Sequence, residues 1–334
     1  MDISIVILNT NDRVYLEGCL ESLKGCAPSR QVEIIVPDNA STDGSVEMLE
    51  SKFPEVKLLH NGGNLGFTKG NNAGIRASSG KYVFLLNTDI KVLGDCIEKM
   101  ADFLDRHPEV GLAAPKILNA DMTLQCTCRK NPTLWNNFCQ AFGLAKAFRN
   151  IPFFSGEEMF YFKGDRVLDV DVFVGCFSCV RRSAMDKVGL LDENFYMYRD
   201  DVDWCMRFNR AGWRVVFNPD AQAIHYGGTS TTRKDIVRYS LLQQRSILDY
   251  WRGQRGWFPW FAMWCFTLWH QAARIGFAIL KYVLAPGTRA ESKSRIRVSK
   301  ACLLDLLITP PKPRAADLAP GAARAAASIK PTVN

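Results

Sequence analysis

Apolar and polar positions alternate in blocks along the first third of the chain. Short apolar runs that predict strands occupy residues 3–8, 32–36, 56–60 and 81–86, and helix-like segments occupy residues 14–24, 45–53 and 71–78. This alternation is typical of a parallel sheet whose strands are joined by crossover helices. Because the strands are largely apolar, helices should cover both faces of the sheet. The pattern therefore predicts an α/β fold with a mostly parallel central sheet.

The middle of the chain is less regular. Residues 119–170 contain scattered aromatic side chains without a clear period, which predicts a long, functional loop region with some helix. Residues 170–180 are apolar and predict another strand. A helix is predicted at 200–211, because acids fall in its first turn, arginines in its last turn and Gly212 just after it.

The composition changes after Gly228, where aromatic and apolar residues concentrate in a predicted helix at 257–284. Its longest uncharged stretch, 257–273, is short for a membrane span. Polar residues recur on this helix at helical spacing, at Thr267, His270, Gln271, Arg274 and Lys281. An apolar helix with such a polar stripe is expected to lie in the membrane interface. The alternatives are a helix that packs on the rest of the chain and a helix that spans the membrane.

Basic residues follow this helix at Lys293, Arg295, Arg297 and Lys300, and they suit an anionic lipid surface. From residue 310 the chain is rich in Pro and Ala, which predicts disorder. We therefore expect three parts: an α/β domain at 1–228, a basic, aromatic-rich helical segment at 229–300, and a Pro/Ala-rich disordered tail at 301–334.

Charge is distributed unevenly along the 334 residues. Residues 1–225 hold 25 Lys/Arg and 29 Asp/Glu, a net of −4, whereas residues 226–334 hold 17 and 5, a net of +12. The basic excess lies away from the acidic motifs, so we expect it to meet an anionic membrane rather than nucleic acid. The 11 Cys lack paired zinc spacing and predict reduced thiols in the cytoplasm. The first residues predict a strand and no signal peptide.

Acidic residues stand where predicted strands end, which is where open α/β sheets bind ligands. Asp38 opens the loop 38–45 between a strand and a helix, and it suits a ligand site. A plain turn capped by Asp43 or Ser45 is the alternative reading. The acids of segment 200–203 are so crowded that a cation or a shared proton should compensate their charge.

A glycine- and asparagine-rich segment at 61–74 allows the backbone to approach a ligand closely. It matches neither the G-x-G-x-x-G pattern nor a Walker loop, so a nicotinamide or P-loop site is disfavoured. Asp89 follows the apolar run 82–86 and is a natural ligand for Mg²⁺ or Mn²⁺, although a solvated strand-end Asp is the alternative. His225 could complete a metal or diphosphate site, or it could be structural.

In their order along the chain, these segments resemble the inverting glycosyltransferases of family 2, which have the GT-A fold, and particularly the bacterial rhamnosyltransferase-like members. The matching segments, which cover roughly residues 1–230, are 5–11, 38–45, 64–74, 85–89, 174–189, 192–207 and 225–230. Each segment is weak evidence alone, but the set is specific.

The resemblance implies donor-binding roles for a set of positions, namely Asn9, Asp38, Asn39, Asn64, Gly66, Lys69, Asn72, Asn87 and Asp89. The first strand end and Asp38 would hold the base and ribose of the nucleotide. Asp89 matches the last acid of the family's D-x-D motif and would bind metal and diphosphate. His225 matches a family histidine near the diphosphate and is expected to contribute to the metal site.

The resemblance also implies the residues of the acceptor side. Asp201 matches the Asp of the family's Glu-Asp pair and would be the catalytic base, with Gly175, Tyr198 and Asp200 facing the acceptor. Two positions depart from the family pattern. Asn87 replaces the first acid of D-x-D, which removes one metal carboxylate, and Asp200 stands where Glu is usual, which shifts the acceptor contact.

The resemblance implies transfer of a sugar, with rhamnose from dTDP-rhamnose favoured, to a hydroxyl of a lipid-linked glycan in cell-surface polysaccharide synthesis. The expected cofactor is Mg²⁺ or Mn²⁺. The expected location is peripheral, on the inner face of the cell membrane, and a homo-oligomer is possible. Alternatives are a sugar-phosphate nucleotidyltransferase, disfavoured because residues 9–13 lack a Gly-rich, Arg-containing loop, and an inactive membrane-bound scaffold.

Overall fold

The computed structural model describes residues 1–26, 29–227 and 235–308. The described residues divide into two compact units, which meet in the sequence between residues 239 and 240. The predicted domain boundary at residue 228 and the end of the matching segment 225–230 lie outside the described residues.

The first unit is built on a central sheet. Its strands are β1 (Ile3–Ile7), β2 (Val32–Asp38), β3 (Lys57–His60), β4 (Tyr82–Leu86), β5 (Ile90–Val92), β6 (Val110–Leu118), β8 (Leu168–Asp169), β10 (Phe177–Arg181) and β11 (Arg214–His225). A separate antiparallel pair is formed by β7 (Cys128–Arg129) and β9 (Val172–Phe173).

Helices of the first unit connect these strands. They are α1 (Arg13–Cys26), α2 (Ser45–Lys52), α3 (Gly66–Arg76), α4 (Cys96–Arg106), α5 (Leu134–Ala141), α6 (Leu144–Ala147), α7 (Arg182–Val188) and α8 (Asp200–Arg210). On α1 the buried positions Leu16, Cys19, Leu20 and Leu23 recur every three or four residues, so one face of the helix packs on the sheet.

The strand order is β3-β2-β1-β4-β10-β6-β11-β5, and β8 pairs with β11. Strands β1 to β4 run parallel, as the sequence predicts, and β11 is parallel to β6. Strand β10 runs antiparallel to both of its neighbours, β4 and β6. The mostly parallel α/β sheet is therefore confirmed, and the reversed strand brings the start of β10 to the edge where β1, β2 and β4 end.

Two segments differ from the predicted pattern, and a third agrees with it. Residues 170–180 form two strands, β9 and β10, because the chain turns at Val174–Cys176, where the Cys176 N–H donates to the Val174 carbonyl (2.9 Å). Helix α3 begins at Gly66, five residues before the predicted start at 71. The irregular insertion at 119–170 contains α5 and α6, in agreement with a loop region that has some helix.

The described part of the second unit is helical. Helix α9 (Ile236–Arg255) crosses the boundary between the units, and it is followed by α10 (Trp257–Leu284) and α11 (Arg289–Ile308). The predicted helix at 257–284 is confirmed with the same bounds. Residues 301–308 of the predicted tail belong to α11, where Cys302 and Leu306 are buried. The rest of the tail lies outside the described residues. In the described ranges, every helix is too short or too polar to cross a membrane.

Candidate active site

The predicted site residues converge at one edge of the sheet in the first unit. Asn9 follows β1, Asp38 ends β2 and Asp89 follows β4. Because β10 is antiparallel to β4, the loop before it, with Gly175, reaches the same edge. The Asn87 N–H donates to the Cys176 carbonyl (3.0 Å), so the two loops are joined by the backbone.

The predicted base and ribose residues form a buried network. Asn9 Nδ2 donates to Asp38 Oδ1 (2.7 Å) and to Ser41 Oγ (3.0 Å), and the Ser41 N–H donates to Asp38 Oδ2 (2.8 Å). Asn9 and Asp38 are both buried. The side chain of Asn9 therefore orients Asp38, and this fixes the loop that faces a ligand.

Asn39 links three loops at the same edge. Its Nδ2 donates to Thr10 Oγ1 (3.2 Å) and to the Gly66 carbonyl (3.3 Å), and its Oδ1 accepts from Asn61 Nδ2 (3.0 Å). Asn64 is exposed, and its Oδ1 accepts from the Gly66 N–H (3.0 Å). The glycine- and asparagine-rich segment is thereby tied to the end of β2.

The backbone conformation at position 66 requires glycine. Its φ is +81°, and a Cβ there would lie 2.6 Å from the Tyr196 ring. Lys69 is exposed on the first turns of α3. Asn72 is buried instead, and its amide binds the Leu191 carbonyl (2.9 Å) and Glu193 (3.0 Å). We therefore assign Asn72 to holding the 191–193 loop and leave it out of the proposed donor site.

Asp89 and His225 face each other across the site. His225 Nε2 lies 3.2 Å from Asp89 Oδ1, and both side chains are largely buried. His225 Nδ1 lies 2.7 Å from Gln125 Oε1. Gln125 Nε2 donates to Asn119 Oδ1 (2.9 Å), which fixes the amide so that its oxygen meets the ring. Nδ1 of His225 therefore donates a hydrogen bond to the Gln125 oxygen, and Nε2 of the same ring faces Asp89.

These two residues fit one side of a divalent-cation site. A lone pair on Nε2 facing a carboxylate oxygen is unfavourable unless a proton or a cation lies between them. The Asp89–His225 separation of 3.2 Å matches two adjacent ligands at bond lengths of about 2.1 Å. The described residues contain no cluster of three or more metal-ligating side chains, so a cation bound here would need diphosphate or water as its other ligands. Asn87, half-buried at this edge, adds no carboxylate.

Asp201 lies across the edge, in the first turn of α8, and is half-buried. Its Oδ2 accepts from the Gly175 N–H (3.2 Å) and its Oδ1 from the Val202 N–H (2.8 Å). A Cβ on Gly175 would lie 3.2 Å from the Asp201 Cβ, so glycine allows the close approach. Two N–H donors orient the carboxylate, which suits a general base.

The charges of the two acids beside Asp201, Asp200 and Asp203, are compensated in different ways. Asp203 binds Arg207 Nε at 2.8 Å. Asp200 is buried, and it lines a mainly apolar cavity with Phe67 and Trp204. Burial, followed by the charge of Asp201, raises the pKa of the Asp200 carboxyl to about 8. Arg207 therefore compensates the charge of Asp203, and burial favours the protonated form of Asp200.

Tyr198, predicted on the acceptor side, is half-buried just before α8. Burial, and then the nearby Tyr239, raises the pKa of its phenol. Sequence reasoning missed Gln125, which lies 100 residues from its partner His225, and the ion pair of Arg199 with Glu157 (2.7 Å). Both Gln125 and Glu157 lie in the irregular insertion, where no local pattern pointed to them.

Comparisons with known proteins agree on one family. The family model "Glycosyl transferase family 2" matches residues 4–189. An N-acetylglucosaminyl-diphospho-decaprenol L-rhamnosyltransferase of Mycobacterium tuberculosis is 30% identical over 244 residues, which are 69% of this chain and 77% of that protein. Rhamnosyltransferase WbbL of Escherichia coli is 27% identical over 230 residues, 66% of this chain and 82% of that protein.

Solved structures show the same fold. The mannosyltransferase PcManGT of Pyrobaculum calidifontis, in complex with GDP-Man and Mn²⁺, has a TM-score of 0.54 at 15% identity, covering 92% of this chain and 87% of that one. GalNAc-T7 with UDP, GalNAc and Mn²⁺ has a TM-score of 0.52 at 14% identity, covering 75% of this chain and 47% of that one. The predicted GT-A-like architecture is confirmed.

Proposed function

Because the chain belongs to glycosyltransferase family 2 and is a nucleotide-sugar glycosyltransferase, we propose that it transfers rhamnose from dTDP-rhamnose, with inversion, to a hydroxyl of a lipid-linked glycan. The observation that carries the proposal is the backbone link between Asp201 and the Asp89–His225 pair. The Gly175 N–H donates to Asp201 Oδ2 (3.2 Å), and the loop that holds Gly175 is joined to the loop before Asp89 by the bond from the Asn87 N–H to the Cys176 carbonyl (3.0 Å). Asp201 can take a proton, while the Asp89–His225 pair can lie beside a leaving diphosphate.

The residues of this edge divide the reaction between them. Asp201 takes the proton of the acceptor hydroxyl as the hydroxyl oxygen bonds to the anomeric carbon. The bond from that carbon to the diphosphate breaks on the opposite side, so the configuration inverts. Asp89 and His225 would hold Mg²⁺ or Mn²⁺, which neutralises charge on the leaving diphosphate when bound. Asp38 and Asn39 hold the nucleotide loop.

The choice of sugar and acceptor rests on the relatives. The two similar rhamnosyltransferases support rhamnose, and the name of the M. tuberculosis protein supports an acceptor that carries a diphosphate and a polyprenol. Such an acceptor is partly embedded in a bilayer, so the enzyme must work at a membrane surface. The alternatives of a nucleotidyltransferase or an inactive scaffold have no comparable support.

The second unit supports work at a membrane surface. Helix α10 exposes large apolar side chains, namely Trp257, Phe258, Phe261, Trp269, Phe277, Ile279, Leu280, Val283 and Leu284. Exposed apolar surface of this extent, on a segment with a basic excess, is typical of an interfacial helix that binds anionic lipid. We therefore place the protein peripherally on the inner face of the cell membrane.

The test is an assay of nucleoside diphosphate release with a panel of nucleotide sugars. The purified protein, Mn²⁺ and a short-chain N-acetylglucosaminyl-diphospho-prenol are incubated with dTDP-rhamnose, UDP-glucose, UDP-N-acetylglucosamine or GDP-mannose. We expect dTDP release that depends on the acceptor and a product of inverted configuration by NMR. Turnover with another donor but not with dTDP-rhamnose would overturn the sugar assignment. Release of pyrophosphate from a sugar phosphate and a nucleoside triphosphate would overturn the reaction class.

A further inference from the structure

We infer that Glu157, in the 119–170 insertion, is a positioning residue for Asp201 and acts through a buried ion pair with Arg199. This inference rests on the proposed role of Asp201 as the base. It assigns the insertion a part in catalysis, which is to hold the start of α8 in the conformation that aims the carboxylate at the acceptor.

The backbone before α8 adopts an unfavourable conformation. Tyr198 and Arg199 have φ values of +68° and +64°, in the left-handed region that side chains other than glycine rarely occupy. Helix α8 begins directly after them, with the Asp203 N–H donating to the Arg199 carbonyl (3.0 Å). Residues in this region relax unless their surroundings hold them. Relaxation here moves Asp201, which is two residues further along.

The side chain of Arg199 is held at both ends of its guanidinium group. Its Nη1 binds Glu157 Oε2 at 2.7 Å and its Nη2 binds Glu157 Oε1 at 3.2 Å. The two side chains are 11% and 3% exposed. A two-bond pair of this kind fixes direction as well as distance, because the planar guanidinium matches the carboxylate. Arg199 therefore keeps its backbone from rotating freely.

Glu157 is itself anchored in the insertion. Its Oε1 accepts from Asn137 Nδ2 (3.1 Å) on α5, and its carbonyl accepts from the Lys130 N–H (2.8 Å) beside β7. Burial raises the pKa of this carboxyl, but Arg199, Arg129 and the Asn137 amide together lower it further, so the net shift of the Glu157 pKa is downward and favours the charged form. The chain of contacts runs from α5 through Glu157 and Arg199 to the first turn of α8.

A purely structural ion pair gives a different result from a positioning one. Loss of a structural pair lowers stability, while the folded fraction keeps its kcat. Loss of a positioning pair lowers kcat and leaves the KM for the donor almost unchanged, because the hydrogen bonds of the pair link α5 to the residue before α8. The two roles also differ in their response to glycine at position 199, since only glycine adopts the left-handed conformation without penalty.

The experiment compares Arg199→Ala with Arg199→Gly, both in a Glu157→Gln background so that the Glu157 carboxylate is not left buried without Arg199. We expect kcat to fall at least tenfold in the Ala variant, with the donor KM within about twofold of the parent, and to recover most of that loss in the Gly variant. Melting curves establish that each variant is folded at the assay temperature. Equal kcat in the Ala and Gly variants overturns the inference, as does a parent-like kcat in the Ala variant.

A second variant covers the case in which the Ala variant does not fold. Arg199→Lys keeps the charge but replaces the two-bond fork by a single contact. We expect a lower kcat at unchanged donor KM, and a parent-like kcat overturns the inference. A parent enzyme that releases no nucleoside diphosphate refutes the proposed function instead, so the two failures are distinguishable.

Discussion

Nε2 of His225 lies 3.2 Å from Oδ1 of Asp89, with the other ring nitrogen committed to Gln125. Because Gln125 fixes the tautomer, the imidazole presents its second nitrogen to the carboxylate. A hydrogen-bond partner of this kind commonly orients a metal-bound histidine and tunes its affinity. Under the proposed function, the pair would therefore act as one unit towards a cation.

Asp89→Ala should weaken dTDP binding at least tenfold in the presence of Mn²⁺, because the carboxylate is one of the two protein groups that fit the cation. EDTA should weaken binding to the parent by a similar factor and have no further effect on the variant. Titration calorimetry on both proteins, with and without EDTA, measures this. The exposed Asp121→Ala serves as the matched control. Equal dTDP affinity of the parent with and without EDTA would mean a metal-independent site.

Asp201→Asn should reduce kcat by about 10²–10⁴-fold and leave dTDP binding nearly intact, because the amide keeps the shape of the carboxylate but cannot take the acceptor proton. Nucleoside diphosphate release and calorimetry measure the two effects separately. Asp186→Asn, at an exposed position of α7, is the control for the substitution itself. Parent-like turnover of the Asp201 variant would remove this residue from the role of base.

Asp200→Asn should change how stability depends on pH. Burial and then Asp201 raise the pKa of this carboxyl to about 8, whereas an unfolded Asp titrates near 4. Between these values the folded protein holds a proton that the unfolded chain has released, so the free energy of unfolding falls as pH rises, and it levels off above pH 8. Asn does not titrate. The Tm of the variant relative to the parent should therefore increase from pH 5 to pH 8, by about a few degrees.

Thermal unfolding of both proteins at intervals across that pH range provides the measurement. Asp186→Asn should follow the parent curve, because its side chain is exposed. A difference in Tm that stays constant with pH would show that Asp200 does not retain its proton in the folded state.

Gly66→Ala should destabilise the protein by about 1–3 kcal/mol, because the added methyl group meets the Tyr196 ring and the residue must keep a positive φ. Donor affinity should fall as well, since this turn starts α3 beside Asn39. Gly63→Ala is a matched control, because a Cβ there has nothing within 4 Å and its φ is ordinary. Denaturant unfolding of the two variants compares them, and equal stability would contradict the role assigned to this turn.

Replacing Phe277 and Val283 together by Ser should reduce sedimentation with anionic vesicles, because these side chains are 73% and 64% exposed on α10. The parent should sediment at low salt and do so less completely at high salt, where the electrostatic part is screened. Val14→Ser, which is 77% exposed on α1, should bind vesicles like the parent. A parent that stays in the supernatant at low salt would refute the membrane proposal.

Local pattern predicted β1 to β4, the segment that contains β10, and the helices α1, α2, α3 and α8, because burial imposes a period on each strand and helix. It did not identify the sheet strands β5, β6, β8 and β11 or the helices α4 and α7. It also singled out Asp38 and Asp89 as candidates, since acids that follow apolar strands are visible in the sequence. Asn72 shows the limit, because a helix that begins at Gly66 turns this side chain inward to Leu191. The pairing of Gln125 with His225 spans 100 residues of the chain, and local pattern does not encode such a contact.

The reversed direction of β10 has a mechanical consequence. Residues on β10 and β4 are paired from Phe177↔Leu86 to Arg181↔Tyr82, so thermal motion of one strand carries the other along. The groups at their shared edge, Asp89 after one strand and Gly175 before the other, move together even if surrounding loops open and close. The distance from Asp89 to the Gly175 N–H, which is the donor that holds Asp201, is therefore set by the sheet itself.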